Sequence, residues 1–90
     1  MKQTDLYDMA SRSGFTVTVF SDHPDFFSSW SLNVRKGEKK YMIEHDGRDG
    51  WLMFYQENEP NKFNEIDKKI SHTMNDNEKL QQCETWLLSV

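Results

Sequence analysis

WSLNVRKGEKKYMIEHDGRDGWLMFY, residues 30–55, decides the fold, because two glycine-marked turns divide it into three segments rich in β-formers. In the first segment Leu32 and Val34 alternate with polar residues, and a period of two predicts a strand with one buried face. Tyr41 and Ile43 repeat that pattern in the second segment. The stretch therefore predicts consecutive β-strands that pair as hairpins.

The length of the first turn decides which residues face each other across the hairpin. A loop of two or four residues that begins at Lys36 places Leu32 opposite Tyr41 or Ile43, whereas a loop of three residues places it opposite Met42 or Lys40. We adopt the even loop, because it collects the apolar residues on one face of the sheet. Leu32, Ile43 and Phe54 are then predicted core residues.

The third segment, WLMFY at residues 51–55, is apolar on both faces. Trp51, Met53 and Tyr55 share one face, and Leu52 and Phe54 share the other. A sheet with helices on one side only would leave one of these two sets exposed.

Upstream, GFTVTVFS at residues 14–21 predicts another strand, in which Val17 and Val19 lie on one face. Residues 22–25, Asp-His-Pro-Asp, end this strand, since proline cannot donate a ladder hydrogen bond. The adjacent Phe26-Phe27 pair then lies in a loop. We expect both rings to fold back on the sheet, and an exposed pair would instead mark a contact surface.

Three helices complete the predicted fold. Thr4 can cap a short N-terminal helix that Gly14 ends. A helical stripe recurs after the strands, at Phe63, Ile66, Ile70 and Met74. Asn75 and Glu78 resemble a capping box that opens a last helix, which carries Leu80, Cys83, Trp86 and Leu87.

The predicted fold class is therefore α+β, in a single domain over residues 1–90. We expect a four-stranded, mainly antiparallel sheet, preceded by the short helix and followed by two helices packed on one face. A chain of 90 residues has no room for a second core, so any site lies on the surface or in a shallow cleft.

The composition favours a basic protein partner. Fifteen Asp and Glu against 11 Lys and Arg give a net charge of −4, which disfavours non-specific nucleic-acid binding. Aromatic residues make up 13% of the chain, so a few large side chains supply much of the core. No stretch has the length and apolar character of a membrane span or a secretory signal.

Cys83 is the only cysteine, so the chain cannot form an intrachain disulfide. This predicts a reducing compartment, and we expect a cytoplasmic protein. Cys83 shares a helical face with Leu80 and Leu87, which predicts a buried, structural thiol rather than a nucleophile.

No motif specifies a chemistry, and we predict neither catalytic residues, nor a cofactor, nor a metal site. His23 and His45 each stand beside a carboxylate, but neither they nor His72 have the spacing of a ligand pair. Residues 46–50, Asp-Gly-Arg-Asp-Gly, lack the ligand order of a calcium loop and predict a turn.

Acidic residues and aromatic residues are interleaved along the predicted loops and the last strand. Aromatic anchors with an acidic rim are typical of a protein interface. The predicted partner-binding residues are Asp22, Asp25, Phe26, Phe27, Asp46, Asp49, Trp51, Tyr55, Glu57 and Glu59. The one basic cluster, on the first hairpin turn at Lys36, Lys39 and Lys40, is interpreted as edge protection.

The small acidic domain, with VTVFS, the stretch at residues 30–55 and its C-terminal helical segment, resembles the immunity proteins that bacteria pair with secreted toxins, including those of contact-dependent inhibition. The resemblance is one of size, charge and organisation, and it transfers no functional residue. It implies neutralisation of a cognate toxin, often a basic nuclease, by occlusion of its active site or an adjacent surface. One alternative is a phage-type inhibitor of a host defence nuclease. An alternative of another class is a small metal- or ligand-binding enzyme that uses His23 and His45.

Overall fold

The structure, a computed structural model, describes residues 2–90. Five antiparallel strands form one sheet in the order β1-β2-β3-β4-β5, with a helix before and a helix after them in the chain. The elements are α1 (Gln3–Arg12), β1 (Thr16–His23), β2 (Ser29–Lys36), β3 (Lys39–Asp46), β4 (Trp51–Glu59), β5 (Lys62–Ile70) and α2 (Asp76–Leu88). The predicted α+β class with an antiparallel sheet is confirmed, and the sheet has five strands rather than four.

The even hairpin register is confirmed. Lys36 pairs with Lys39, so the turn consists of two residues, and Gly37 supplies the positive φ of 61° that such a turn requires. Leu32 therefore lies opposite Ile43, and Ile43 lies opposite Phe54 on the next strand. These three predicted core residues form one fully buried row across the sheet.

The helix predicted through Phe63 and Ile70 is wrong, because this segment is β5. Pro60 and Asn61 form a two-residue turn, with Asn61 at a φ of 64°, that folds β5 back along β4. A β-bulge leaves Ile66 without a pairing partner on β4, because Glu65 pairs with Tyr55 and Asp67 with Phe54. The bulge changes the phase of the strand, so that Phe63 and Ile70 share a face despite a spacing of seven. Residues seven apart also lie on one side of an α-helix, so the spacing alone predicted a helix.

A bulge in β1 makes the predicted alternation of buried and exposed residues wrong after Val17. Val17 pairs with Val34, but Val19 pairs with Asn33, so Thr18 is the additional residue. Val17 and Phe20 consequently pack against the core, whereas Val19 is 54% exposed.

The ends of the helices follow local hydrogen bonding. The backbone of α1 begins after Lys2 rather than after Thr4, and Gly14, at a φ of 84°, follows its end. The predicted capping box of α2 is confirmed. Asn75 Oδ1 accepts a hydrogen bond from the Glu78 amide at 2.8 Å, and the Asn75 amide donates to Glu78 Oε1 at 3.0 Å.

One face of the sheet and residues of both helices form a single buried cluster. Its members are Leu6, Met9, Ala10, Phe15, Trp30, Leu32, Val34, Tyr41, Ile43, Leu52, Phe54, Cys83, Trp86 and Leu87. Within residues 2–90 the structure has two helices where the sequence predicted three. Neither of these two helices is long and apolar enough to cross a membrane.

Trp86 attaches α2 to the centre and to the edge of the sheet. Its ring stacks on Phe54 with 5.3 Å between ring centroids, and Phe54 stacks in turn on Tyr41 at 5.5 Å. The Trp86 indole donates a hydrogen bond of 2.9 Å to Asp67 Oδ2 on β5. This bond, together with one from the Lys68 amide, lowers the pKa of Asp67.

We expect the substitution Ile43→Ala to lower the free energy of unfolding by about 2–5 kcal/mol, because it removes buried methyl groups and leaves a cavity. Urea denaturation of both proteins measures the difference. Met42→Ala is the matched control, since Met42 lies on the other face of β3 and is partly exposed. A loss at Ile43 no larger than the loss at Met42 would mean that the buried face has been misassigned.

We expect the Cys83 thiol to resist modification in the folded protein. Its exposure is 0%, and burial raises its pKa to about 12, so the reactive thiolate is scarce and enclosed. Reaction with a chromogenic disulfide reagent should be slow in buffer and become fast in guanidinium chloride. Rapid modification in buffer would contradict a structural role.

Candidate functional site

Two connections meet at one end of the sheet. In an antiparallel meander, the β1–β2 connection (residues 24–28) and the β3–β4 connection (residues 47–50) lie at the same end of the strands. We call these connections and the strand residues that flank them the loop end. Seven of the ten predicted partner-binding residues lie there: Asp22, Asp25, Phe26, Phe27, Asp46, Asp49 and Trp51.

Hydrogen bonds hold the first connection against the second. His45 Nδ1 lies 3.1 Å from the Ser28 carbonyl oxygen, and the Gly47 amide donates to Ser29 Oγ at 3.1 Å. A Cβ atom at Gly47 would overlap the backbone carbonyl of Phe27. Only glycine therefore permits this close approach of the two backbones.

The β1–β2 connection contains two consecutive residues in the left-handed region of backbone conformation. Phe27 has a φ of 55° and Ser28 a φ of 56°. This conformation is unfavourable by roughly 1–2 kcal/mol for a residue with a Cβ atom, and it is uncommon for a bulky side chain. Strained residues of this kind concentrate at functional sites, where the surrounding contacts hold them in place.

Both phenylalanine rings of this connection are exposed, Phe26 by 53% and Phe27 by 60%. They contact each other edge to face, with 5.3 Å between centroids. The expectation that they fold back on the sheet is wrong, because the contacts with the β3–β4 connection hold the backbone beyond the strand ends. Neither ring belongs to the buried cluster. Exposure of both rings is the second possibility that the sequence left open.

The predicted turn at residues 46–50 is confirmed, and Asp46 organises it. Asp46 Oδ1 accepts hydrogen bonds from the amides of Arg48 at 3.0 Å and Asp49 at 3.1 Å. Gly50 closes the turn at a φ of 73°, with its amide 2.8 Å from the Asp46 carbonyl oxygen. The His72 ring covers Gly50 and leaves no space for a side chain there.

A cleft of about 280 Å³ opens beside the Phe26 ring. Its lining residues are His23, Phe26, Ser29, Trp30, Ser31, Glu44, His45 and Asp46. Burial raises the pKa of Glu44, and the neighbouring charge of Asp46 raises it further. The cleft therefore combines an aromatic wall with carboxylates that gain from a nearby cation.

His23 and His45 line this same cleft, although they are far apart in the sequence. His45 is buried, its ring is tilted against Trp30, and burial is the main cause of its lowered pKa. Among residues 2–90, no group of three or more His, Cys, Asp or Glu side chains is arranged to hold a metal ion.

The predicted anchors Trp51 and Tyr55 lie on the face of the sheet opposite the buried cluster, Trp51 at the loop end, where it pairs with Asp46, and Tyr55 farther along β4. We call this face, formed by the outward residues of β2 to β5, the open face. The ammonium of Lys68 lies 3.9 Å from the centroid of the Trp51 ring, and the Tyr55 hydroxyl donates to the Met53 sulfur at 3.2 Å. Burial, followed by the charges of Glu44 and Glu65, raises the pKa of Tyr55.

Glu57 and Glu59 lie at the opposite end of the sheet from the loop end. Six residues separate Glu57 from Trp51, which is about 20 Å along a strand. Glu57 Oε1 accepts a hydrogen bond from the Asn61 amide at 3.3 Å, and Glu59 forms an exposed ion pair with Lys62 at 3.2 Å. The structure thus separates the ten predicted residues into the loop end, the open face and this far end.

Sequence reasoning missed the residues that hold the loop end together. Gly47, Ser28 and Ser29 act through their backbone or a short hydroxyl, and nothing local in the sequence indicates that two distant connections meet. The outward position of Glu44 on β3 could have been found, since it follows from the alternation around Ile43.

Comparisons of the chain with protein-family models, curated proteins and solved structures find no match. What the loop end can do follows from its own residues. Exposed aromatic rings on a fixed backbone, with carboxylates around them, suit recognition of a surface that is both apolar and cationic.

We expect the substitution Glu44→Gln to stabilise the protein at pH 7. The folded-state pKa of Glu44 is raised, so this group stabilises the fold fully below its ordinary pKa near 4.5 and loses that effect as the pH rises through the raised value. Glutamine stays neutral, and its advantage should disappear below about pH 4. Urea denaturation across this pH range measures the effect. Glu38→Gln, in the exposed β2–β3 turn, is the matched control, and an equal gain there would contradict the assignment to Glu44.

Proposed function

We propose that the protein is an immunity-type binder, which neutralises a basic protein partner by covering a surface of that partner with the loop end. The observation that carries this proposal is the exposed Phe26-Phe27 pair, whose backbone is left-handed at Phe27 and Ser28 and packs against the β3–β4 connection. A connection that only joined two strands would gain nothing from this strain or from exposing two large rings.

The fixed backbone makes the two rings suitable anchors for binding. Ordering a flexible loop on binding reduces affinity, and a loop that is already ordered avoids that loss. Contacts with Gly47 and with the Ser29 hydroxyl supply this order before any partner arrives. Exposed aromatic side chains that enter pockets on a partner commonly dominate the binding energy of an interface.

The charge at the loop end favours a basic partner. Carboxylates of both connections and of the adjoining strand ends lie at the same end of the sheet as the ring pair: Asp22, Asp25, Asp46 and Asp49. Arg48 is the only arginine or lysine of the two connections, and Lys79 of α2 lies beside Asp22 and Ser28. Such a surface attracts a cationic partner over several ångströms and accelerates association at low salt.

The partner class we infer is a toxin domain, with a basic nuclease as the leading case. Neutralisation would follow from occlusion of its active site or a nearby surface, without catalysis by this chain and without a cofactor. We place this activity in the bacterial cytoplasm. A phage-type inhibitor of a host defence nuclease would use the same surface, and the identity of the captured partner separates the two.

One observation favours a function of another class, a small metal- or ligand-binding enzyme. The cleft brings His23 and His45 together with Glu44 and Asp46. Calorimetric titration with Zn²⁺, repeated with a His23→Ala variant, tests this alternative. Stoichiometric binding that is lost in the variant would favour a metal site, and heat independent of His23 would not.

Affinity purification with the tagged protein, followed by mass spectrometry, should identify the partner. A Phe26→Ala/Phe27→Ala variant serves as the bait control. A partner of the loop end is enriched by the parent protein and depleted with the variant, whereas a protein captured equally by both binds elsewhere.

With the partner in hand, we expect Phe27→Ala to accelerate dissociation roughly tenfold to a thousandfold, because an anchor ring is lost. Replacing Asp25 and Asp49 together by Asn should instead slow association and weaken its dependence on salt. We choose these two carboxylates for substitution instead of Asp46, because the Asp46 side chain accepts the hydrogen bonds that form its own turn. Surface plasmon resonance at several salt concentrations measures both rates.

The matched control replaces Glu57 and Glu59 by Gln at the far end of the sheet. This change removes the same charge but should leave both rate constants close to those of the parent protein. If the far-end variant slows association as much as the loop-end variant, net charge rather than the loop end attracts the partner. Unchanged dissociation of the Phe27 variant would remove the ring pair from the interface.

A further inference from the structure

The open face carries a band of half-buried apolar side chains. Residues of the central and last strands alternate toward this face and lie in register: Met42 on β3, Trp51, Met53 and Tyr55 on β4, and Phe63 and Ile70 on β5. Ile70 is 56% exposed, and most of the others are partly exposed. No helix among residues 2–90 contributes to this band.

The open face can be divided into four quarters, the loop-end and far-end halves of β2–β3 and of β4–β5. The sign of the charged residues alternates from each quarter to the next. On β2 and β3, Arg35 and Lys40 lie toward the far end, whereas Glu44 and Asp46 lie toward the loop end. On β4 and β5 the order is reversed. There Glu57 and Glu65 lie toward the far end, and Lys68 lies toward the loop end.

This pattern is self-complementary. Consider a two-fold axis that lies between two facing sheets and runs perpendicular to their strands. It places the loop end of one copy over the far end of the other, so each quarter faces a quarter of opposite charge. The net charge of the face is near zero, with Arg35, Lys40 and Lys68 against Glu44, Asp46, Glu57 and Glu65. A nearly neutral, alternating surface suits a second copy better than a uniformly basic partner.

We propose that the open face binds a second copy of this chain, sheet against sheet, to form a two-fold symmetric dimer. In this arrangement Lys40 lies opposite Asp46 of the other copy, and Glu65 lies opposite Lys68. Between these charge pairs, Tyr55 packs against Met53 of the other copy, and Phe63 against Ile70. The proposal goes beyond the loop-end function and does not depend on it.

The cleft beside Phe26 fits the same arrangement. It lies at the acidic quarter of the open face, with Glu44 and Asp46 in its lining. The two-fold axis brings the quarter that carries Arg35 and Lys40 over it. The second copy would thus supply a cation to both carboxylates, of which Glu44 has its pKa raised by burial and then by the charge of Asp46.

The edges of the sheet are less suitable for self-association than its face. The outer strand β5 contains a bulge and carries lysines at positions 62, 68 and 69, and both features oppose strand pairing between molecules. The other outer strand, β1, also contains a bulge.

The size of the face sets the expected affinity. Four strands about 4.8 Å apart and eight residues long at about 3.3 Å each give a flat area of roughly 500 Å². This is below the ~800 Å² that each partner contributes to a standard interface, so we expect a weak, reversible dimer with a dissociation constant in the micromolar range or above.

The test uses complementary charge reversals and sedimentation equilibrium from micromolar to millimolar protein. Lys40→Glu alone and Asp46→Lys alone each create two like-charge contacts in the dimer, and each should weaken it roughly a hundredfold or more. An equimolar mixture of the two variants restores both attractive pairs and should form a mixed dimer as tightly as the parent protein. Lys40 and Asp46 lie about 20 Å apart in one copy, so the recovery cannot arise within a single chain.

Glu65→Lys and Lys68→Glu provide a second complementary pair, which leaves intact the turn that Asp46 caps. The control is Lys39→Glu, on the other face of β3, which should leave the dimer unchanged. A monomeric parent protein overturns the proposal, as does a dimer that persists in every open-face variant. A monomeric parent whose capture of a basic protein is weakened by Glu65→Lys would assign the face to that protein instead.

Discussion

The alignment of three central strands is the constraint on which the rest of the structure depends. Because the β2–β3 turn contains two residues, Leu32, Ile43 and Phe54 lie in one buried row. A shift by one residue would turn this row toward solvent. The same alignment gives Trp86 a ring to stack on and thereby positions α2. It also directs Trp51, Met53 and Tyr55 to the opposite side, so the open face is a consequence of the buried one.

Sequence reasoning recovered what depends on neighbouring residues. The hairpin register, the Asn75 capping box and the burial of Cys83 each follow from a local pattern. It failed where a bulge changed the phase of a strand, at Thr18 and at Ile66, because one unpaired residue reverses every side chain beyond it. It located seven residues of the loop end but not the contacts that join the two connections, since those depend on the order of the strands.

The fold presents two surfaces that differ in their charge. The loop end is predominantly acidic and presents exposed rings, which suits a basic partner that differs from this chain. The open face balances its charges and distributes its apolar area across three strands, β3 to β5. Surfaces of these two kinds favour different partners, and they meet at the cleft that Phe26 and Asp46 line.

The contact between Gly47 and the Phe27 backbone holds the β1–β2 connection in place without any side chain of the buried cluster. The loop is held by a glycine, a hydroxyl and an imidazole, and none of residues 24–28 belongs to the buried cluster. Replacements within these five residues therefore leave the main source of stability intact. Residues 24–28 can therefore vary in sequence while the sheet and both helices keep their buried contacts. The fold thus separates the segment that sets the chemistry of this surface from the residues that set its stability.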